Sequence, residues 1–142
     1  MTVKHILDEK GRDVVTVSPT MTTAEAARFL ADNRIGAVVV TAVEGKIAGI
    51  LSERDIVRAV AHIGASALEN PISSIMTTKV STCSEEHTIN QVMELMTNGR
   101  FRHLPVETAG KLCGIISIGD VVRRRIEDVE REAAEIKAYI AS

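Results

Sequence analysis

The sequence predicts a mixed α/β (α+β) fold made of two tandem β-α-β-β-α repeats with pseudo-twofold symmetry, followed by an amphipathic C-terminal helix. Three observations predict it. The stretch Gly49-Ile50-Leu51-Ser52-Glu53-Arg54-Asp55-Ile56-Val57 returns 65 positions later as Gly114-Ile115-Ile116-Ser117-Ile118-Gly119-Asp120-Val121-Val122. Upstream the match continues at an offset of 66, with Thr22 on Thr88, Glu25 on Gln91, Phe29 on Leu95, Ile35 on Phe101 and Val40 on Val106. Within each copy, short β-rich runs alternate with helical apolar periodicity in the same order.

The elements follow in sequence. A lead-in opens each copy: Val3, Ile6 and Leu7 have the spacing of Ile72, Ile75 and Met76, a short helical apolar stripe. The first strand is expected over residues 14–17, stopped by Ser18-Pro19, and its counterpart over 80–83. A helix start is then written twice as a capping box, Thr22 with Glu25 and Thr88 with Gln91. Ala26, Ala27 and Leu30, and Val92, Met93 and Met96, give these helices one buried face each. The second strands are expected over 37–41 and 103–106, and turns at Gly45 and Gly110 lead into third strands over 47–51 and 112–116, a hairpin in each copy. A final helix starts at Ser52 or Ser117, and residues 61–71 link the halves. The organisation is repeat 1 with its lead-in over 1–66, repeat 2 over 67–126, and a helical extension over 127–142.

Composition excludes several classes. The 142 residues are 45% hydrophobic, which suits an ordinary globular chain. A unit of about 60 residues buries only roughly 60% of its unfolded surface, so two copies packed face to face are the economical arrangement. A net charge of −2 argues against a broad nucleic-acid face. No apolar run nears the roughly 20 residues that span a bilayer, and the N-terminus turns polar within its first ten residues, so no membrane partner and a cytoplasmic address are expected. Cys83 and Cys113 match apolar Val17 and Ala48 in the other copy and read as small core residues. His62 and His87 have no second ligand at metal spacing, so both are expected to be solvent-exposed and no metal site is expected.

The duplicated Ser-x-x-Asp admits two readings. It is a helix-start signature, in which the Ser hydroxyl and Asp carboxylate satisfy orphan backbone N–H groups. The same geometry suits a ligand: a helix N-terminus and a Ser hydroxyl can hold phosphate, and a carboxylate can accept bonds from vicinal hydroxyls such as those of ribose. Gly49 and Gly114 stand where a backbone could approach a ligand closely.

The β-α-β-β-α order, with Gly-hydrophobic-x-Ser-x-x-Asp at the last strand-to-helix junction of both copies, resembles a pair of cystathionine-β-synthase (CBS) domains over about residues 3–126. The resemblance implies a Bateman module, whose cleft between paired repeats binds adenosyl ligands such as AMP, ADP, ATP, NAD(H) or S-adenosylmethionine. It implies that Asp55 and Asp120 hold ribose hydroxyls while Ser52 and Ser117 reach phosphate. It implies adenine pockets at Thr16, Val17, Ser18, Ile35, Gly36 and Ala37 in copy one, and at Thr82, Cys83, Ser84, Phe101, Arg102 and His103 in copy two, the latter running on into Leu104 and Pro105. The copies differ in charge. Arg100, Arg102 and His103 could bind phosphate oxygens by charge-assisted hydrogen bonds, where copy one has Arg34, Gly36 and Ala37. Arg54 joins the copy-one set, and Gly119 replaces it in copy two, so the two sites are expected to be inequivalent.

The tail adds a second constellation. Val122, Ile126, Val129, Ala133, Ile136 and Ile140 are spaced as an a/d seam on one helix over about 120–140. Either the seam packs on the module, or two copies pair through it as a homodimer, which is also what the resemblance implies. The expected function is a regulatory adenosine-nucleotide sensor that shifts conformation to control a partner the sequence does not identify. The alternatives are a structural dimer whose motifs only cap helices and, with no nucleophile-base pair or carboxylate dyad in the sequence, an enzyme acting on a bound nucleotide.

Overall fold

The computed structural model describes residues 1–142, which form five helices and five strands: α1 (Val3–Lys10), β1 (Thr16–Val17), α2 (Thr23–Asn33), β2 (Ala37–Thr41), β3 (Ile47–Ser52), α3 (Glu53–Ile63), α4 (Ile89–Gly99), β4 (His103–Thr108), β5 (Lys111–Ser117) and α5 (Ile118–Ala141). No helix is long and apolar enough to cross a membrane. The chain divides into two compact units, one of residues 14–81 with 109–112, the other of residues 1–13, 82–108 and 113–142.

In the first unit, β2 is the central strand. It runs parallel to β1, with Thr16 opposite Val39, and antiparallel to β3, with a bulge after the Val40–Gly49 pair. Its middle, Val38, Val39 and Val40, is buried on both faces and made of β-branched residues that fit a pleated surface. Helix α2 carries the chain from β1 to β2 and contributes Ala26 and Leu30 to a core with Val17, Val38, Val40, Leu51 and Ile72. Its N-cap is half of the expected box: Thr22 Oγ1 accepts the Glu25 N–H at 3.2 Å, but no bond returns from the Glu25 carboxylate. In the second unit the equivalent box on α4 is complete, with Thr88 and Gln91 bonding reciprocally at 3.1 and 2.9 Å.

The second unit also departs from the expected three strands. Residues 80–83 form no strand, only a parallel bridge from Cys83 to Val106: the Cys83 N–H donates to Pro105 O (3.0 Å) and the Glu107 N–H to Cys83 O (2.8 Å). Pro105 is the reason, because it replaces Val39 of the first repeat and has no N–H with which to continue the ladder.

The two lead-ins are exchanged. Val3, Ile6 and Leu7 of α1 lie in the core with Cys83, Ile89, Val92, Met96, Leu104, Val106, Ile116 and Val121 of the second repeat. Ile72 lies in the core of the first repeat, with Ile75 and Met76 against it. The compact units therefore each combine one repeat with the lead-in written ahead of the other. Equivalent hydrogen bonds recur in register. The Val3 N–H donates to His87 O (2.9 Å) and the Ile72 N–H to Met21 O (2.8 Å), while the Ile89 N–H donates to Met1 O (3.1 Å) and the Thr23 N–H to Asn70 O (2.8 Å). The lead-ins differ in form, since the second is only a 3₁₀ turn, Ile72–Ser74.

Helix α5 continues without a break from the copy-two motif to Ala141. Its buried positions are Val121 and Asp128, two turns apart. Asp128 is held by Arg131 at 3.0 Å and Arg124 at 3.5 Å, and Arg124 also reaches Glu9 of α1 at 3.0 Å. The a/d seam lies on another face and is exposed: Ile126 is 52%, Ile136 60% and Ile140 76% accessible, so it does not pack on the module.

Candidate functional site

Each Ser-x-x-Asp lies at the junction of a strand with a helix, Ser52 capping α3 and Ser117 capping α5. Both capping boxes close. The Asp55 N–H donates to Ser52 Oγ at 3.2 Å and the Ser52 N–H to Asp55 Oδ2 at 3.0 Å; in copy two the distances are 3.1 and 2.9 Å. The first helical N–H groups are also taken, Glu53 donating to Gly36 O at 2.9 Å and Ile118 to Arg102 O at 2.8 Å. Each junction therefore keeps one first-turn N–H without a protein acceptor (Arg54 or Gly119), the Ser hydroxyl proton, and lone pairs on the Asp carboxylate. That set can donate to an anionic oxygen and accept from hydroxyls at one place.

The motif glycines have a different role from the one expected. A Cβ on Gly49 would lie 2.7 Å from Thr77 O, and one on Gly114 2.8 Å from Leu7 Cδ2. The space in front of each glycine is filled by the exchanged lead-in rather than left open for a ligand. Thr77 and Ile50 exchange two backbone hydrogen bonds of 2.9 Å across that contact.

The lead-ins also reach the carboxylates, and there the copies diverge. Asp55 receives the Thr77 hydroxyl at 3.3 Å. Asp120 receives the Lys10 ammonium, whose Nζ is 2.7 Å from Oδ2 and 3.0 Å from Ile115 O. Burial by itself would raise Asp120, but the hydrogen bonds from Lys10 and the Ser117 backbone, with the Lys10 charge, outweigh it and hold the carboxyl below its ordinary range. Nearby His103 is pulled below the ordinary imidazole value by burial first and then by the Lys10 charge, with Asp120 opposing and Arg102 adding least. A cavity of about 320 Å³ opens beside the ion pair, with Lys10, Asp120, Arg123 and Arg124 among its walls. Neither Lys10 nor Thr77 is legible as a site residue in sequence, because each arrives from a lead-in and the two are not in register.

The remaining expected residues fall into groups. Val17, Cys83, Leu104 and Pro105 are buried, so only their backbone can meet a ligand. Burial pushes the Cys83 thiol up to about 12, which leaves it protonated and unreactive. Thr16, Ser18 and Gly36 are exposed, and Ile35 and Ala37 half-buried. Thr82 donates to Glu107 at 3.3 Å. Ser84 donates its N–H to His87 Nδ1 at 2.9 Å, so His87 is a half-buried turn partner and not the solvent-exposed ring expected; His62 is exposed. Arg54, Arg100 and Arg102 are exposed and form no ion pair, with Arg100 the left-handed C-cap of α4 at φ 55°. The half-buried Phe101 ring lies where a Cβ on Gly99 would collide with it. No group of three or more His, Cys, Asp and Glu side chains gathers in metal-binding geometry.

A duplicated unit of helix, β-hairpin and helix, with a capped Ser-x-x-Asp at the same junction in each copy, defines a tandem-repeat module of a specific kind. The chain belongs to the CBS domain family, whose pattern matches residues 3–62 and 72–127. Its fold is similar to the crystal structure of a CBS-domain-containing protein from Agrobacterium tumefaciens, 54% identical, covering 88% of this chain and 99% of that one with a TM-score of 0.83. It is also similar to a CBS domain pair solved in complex with 5′-methylthioadenosine and S-adenosyl-L-methionine, 26% identical, covering 90% of this chain and 98% of that one with a TM-score of 0.78. In sequence it is 31% identical to a mitochondrial CBS domain-containing protein of Arabidopsis thaliana, over 98% of this chain and 71% of the relative.

Proposed function

We propose that this protein is a regulatory module that binds an adenosine ligand at its Ser-x-x-Asp junctions and shifts conformation to control a partner protein. The observation that carries the reading is the donor and acceptor set left over once the capping boxes have closed. A Ser hydroxyl and a helix N–H favour an anionic oxygen, and a carboxylate favours ribose hydroxyls. Adenosine is the moiety shared by the two ligands of the related CBS pair. AMP, ADP, ATP and NAD(H) add phosphate, which the exposed Arg54, Arg100 and Arg102 favour. Binding rather than catalysis is the role proposed, because each motif carboxylate is tied to its own helix cap and the Cys83 thiol is protonated. A cytoplasmic address and a homodimeric state belong to the same reading.

The closed capping boxes favour one competing reading, a structural role alone. Titration of ligand-free protein with AMP, ATP, NAD(H) and 5′-methylthioadenosine separates the two. The ligand reading expects saturable binding that Asp55→Ala and Asp120→Ala weaken by more than their loss of stability explains. Absence of binding by every adenine compound would leave the caps as the motif's whole purpose. Native mass spectrometry of the protein as purified would identify a retained ligand by mass.

A further inference from the structure

The two motif carboxylates are not equivalent acceptors. Asp55 is met by a neutral hydroxyl, and no ion pair involves it; Asp120 is met by an ammonium at 2.7 Å. Lys10 is not a free surface lysine. Val3, Ile6 and Leu7 anchor α1 in the second repeat's core, Leu7 presses on Gly114, and Lys10 ends the helix one turn later with a second bond to Ile115 O. Its side chain is 39% exposed and that of Asp120 14%. Both carboxylates accept the N–H of their own motif serine through Oδ2, so the difference between the copies is the charge: a vicinal diol approaching Asp120 meets a cation 2.7 Å from Oδ2 that offsets the carboxylate, and none approaches Asp55.

We propose that Lys10 is a specificity-determining residue of the copy-two junction, an internal occupant of the ribose acceptor that makes this junction the weaker of the two for a free vicinal diol. The inference rests on the proposed function and deepens it: copy one recognises the adenosine diol through a carboxylate that no cation meets, and copy two admits it only in competition with Lys10.

The test uses adenosine, which carries no charge, so that phosphate contacts do not mask the effect. In Asp55→Ala protein, calorimetry reads the copy-two junction alone. Adding Lys10→Met is expected to tighten adenosine binding there about fivefold, as loss of a partly exposed ion pair allows, whereas Lys10→Arg leaves it as it was. Raising salt from about 0.05 to about 0.5 M screens the pair, and is expected to strengthen adenosine binding to Asp55→Ala protein but not to the double variant. 2′-Deoxyadenosine, which lacks the diol, is expected to gain nothing from Lys10→Met. Unchanged, weaker or absent copy-two binding after Lys10→Met would overturn the proposal while binding at copy one left the proposed function standing. Failure of every adenine compound to bind wild type would remove the functional reading itself. Circular dichroism melts of each variant confirm that the comparison is made on folded protein.

Discussion

At the scale of single residues, the glycines and His103 give the sharpest expectations. A Cβ added at Gly49 would lie 2.7 Å from the carbonyl of Thr77, a residue held by two backbone hydrogen bonds to Ile50, whereas one added at Gly114 would meet the end of a leucine side chain. Gly49→Ala is therefore expected to cost about 1–3 kcal/mol and Gly114→Ala less, measurable by urea denaturation. Equal costs would mean that the Thr77 segment yields as readily as a rotamer. His103 has a folded-state pKa below its ordinary 6.5, so the unfolded chain takes up the proton first on acidification. The stability it contributes is complete above 6.5 and is lost as pH falls through the folded value. His103→Gln is expected to flatten the decline in stability between about pH 7 and 5, and an unaltered slope would show that this ring is not its source.

At the scale of elements, the exchanged lead-in and the long C-terminal helix decide most. Helix α1 has eight residues, too few to be stable alone, and exists because Val3, Ile6 and Leu7 are buried. Leu7→Ala removes a fully buried side chain and is expected to cost about 2–5 kcal/mol, with hydrogen exchange loosened most in α4, β4 and β5, whose cores it enters. Loosening confined to residues 14–63 would contradict the exchange. Helix α5 leaves Val122, Ile126, Val129, Ile136, Tyr139 and Ile140 open to solvent along 24 residues. A second copy is the partner expected from the a/d spacing, so light scattering should give about twice 15.3 kDa. Ile136→Lys should loosen that dimer without unfolding the chain, since its side chain is 60% exposed. A dimer indifferent to the substitution would place the contact elsewhere.

At the scale of the whole molecule, ligand binding should be visible as stability. Any compound that binds only the folded chain contributes about 2.7 kcal/mol per site at roughly 100 times its dissociation constant, which for a chain of this size raises Tm by roughly 5–10 °C. AMP, ATP, NAD(H) and 5′-methylthioadenosine are expected to do so with ligand-free protein in a calorimetric scan. If all four leave Tm where it was, regulation by these four ligands is ruled out for this chain.

Apart from the strand expected at 80–83, the order of elements, the helix starts at Thr22, Ser52, Thr88 and Ser117, the hairpins and the a/d spacing of the tail were legible in the sequence, because each depends on local spacing: capping residues, period-two and period-3.6 apolar patterns, glycine at turns. The family was legible for the same reason, since its motif is local and occurs twice. Tertiary structure alone decided which repeat each lead-in joins, because Val3-Ile6-Leu7 and Ile72-Ile75-Met76 are equally apolar and either could fill either core. It decided that Gly49 and Gly114 serve chain packing, because a missing Cβ does not say what approaches it. It also decided that Asp120 meets an ammonium where Asp55 meets a hydroxyl, because Lys10 reaches its partner across 110 positions of sequence, on a helix whose core anchors, Val3, Ile6 and Leu7, are apolar.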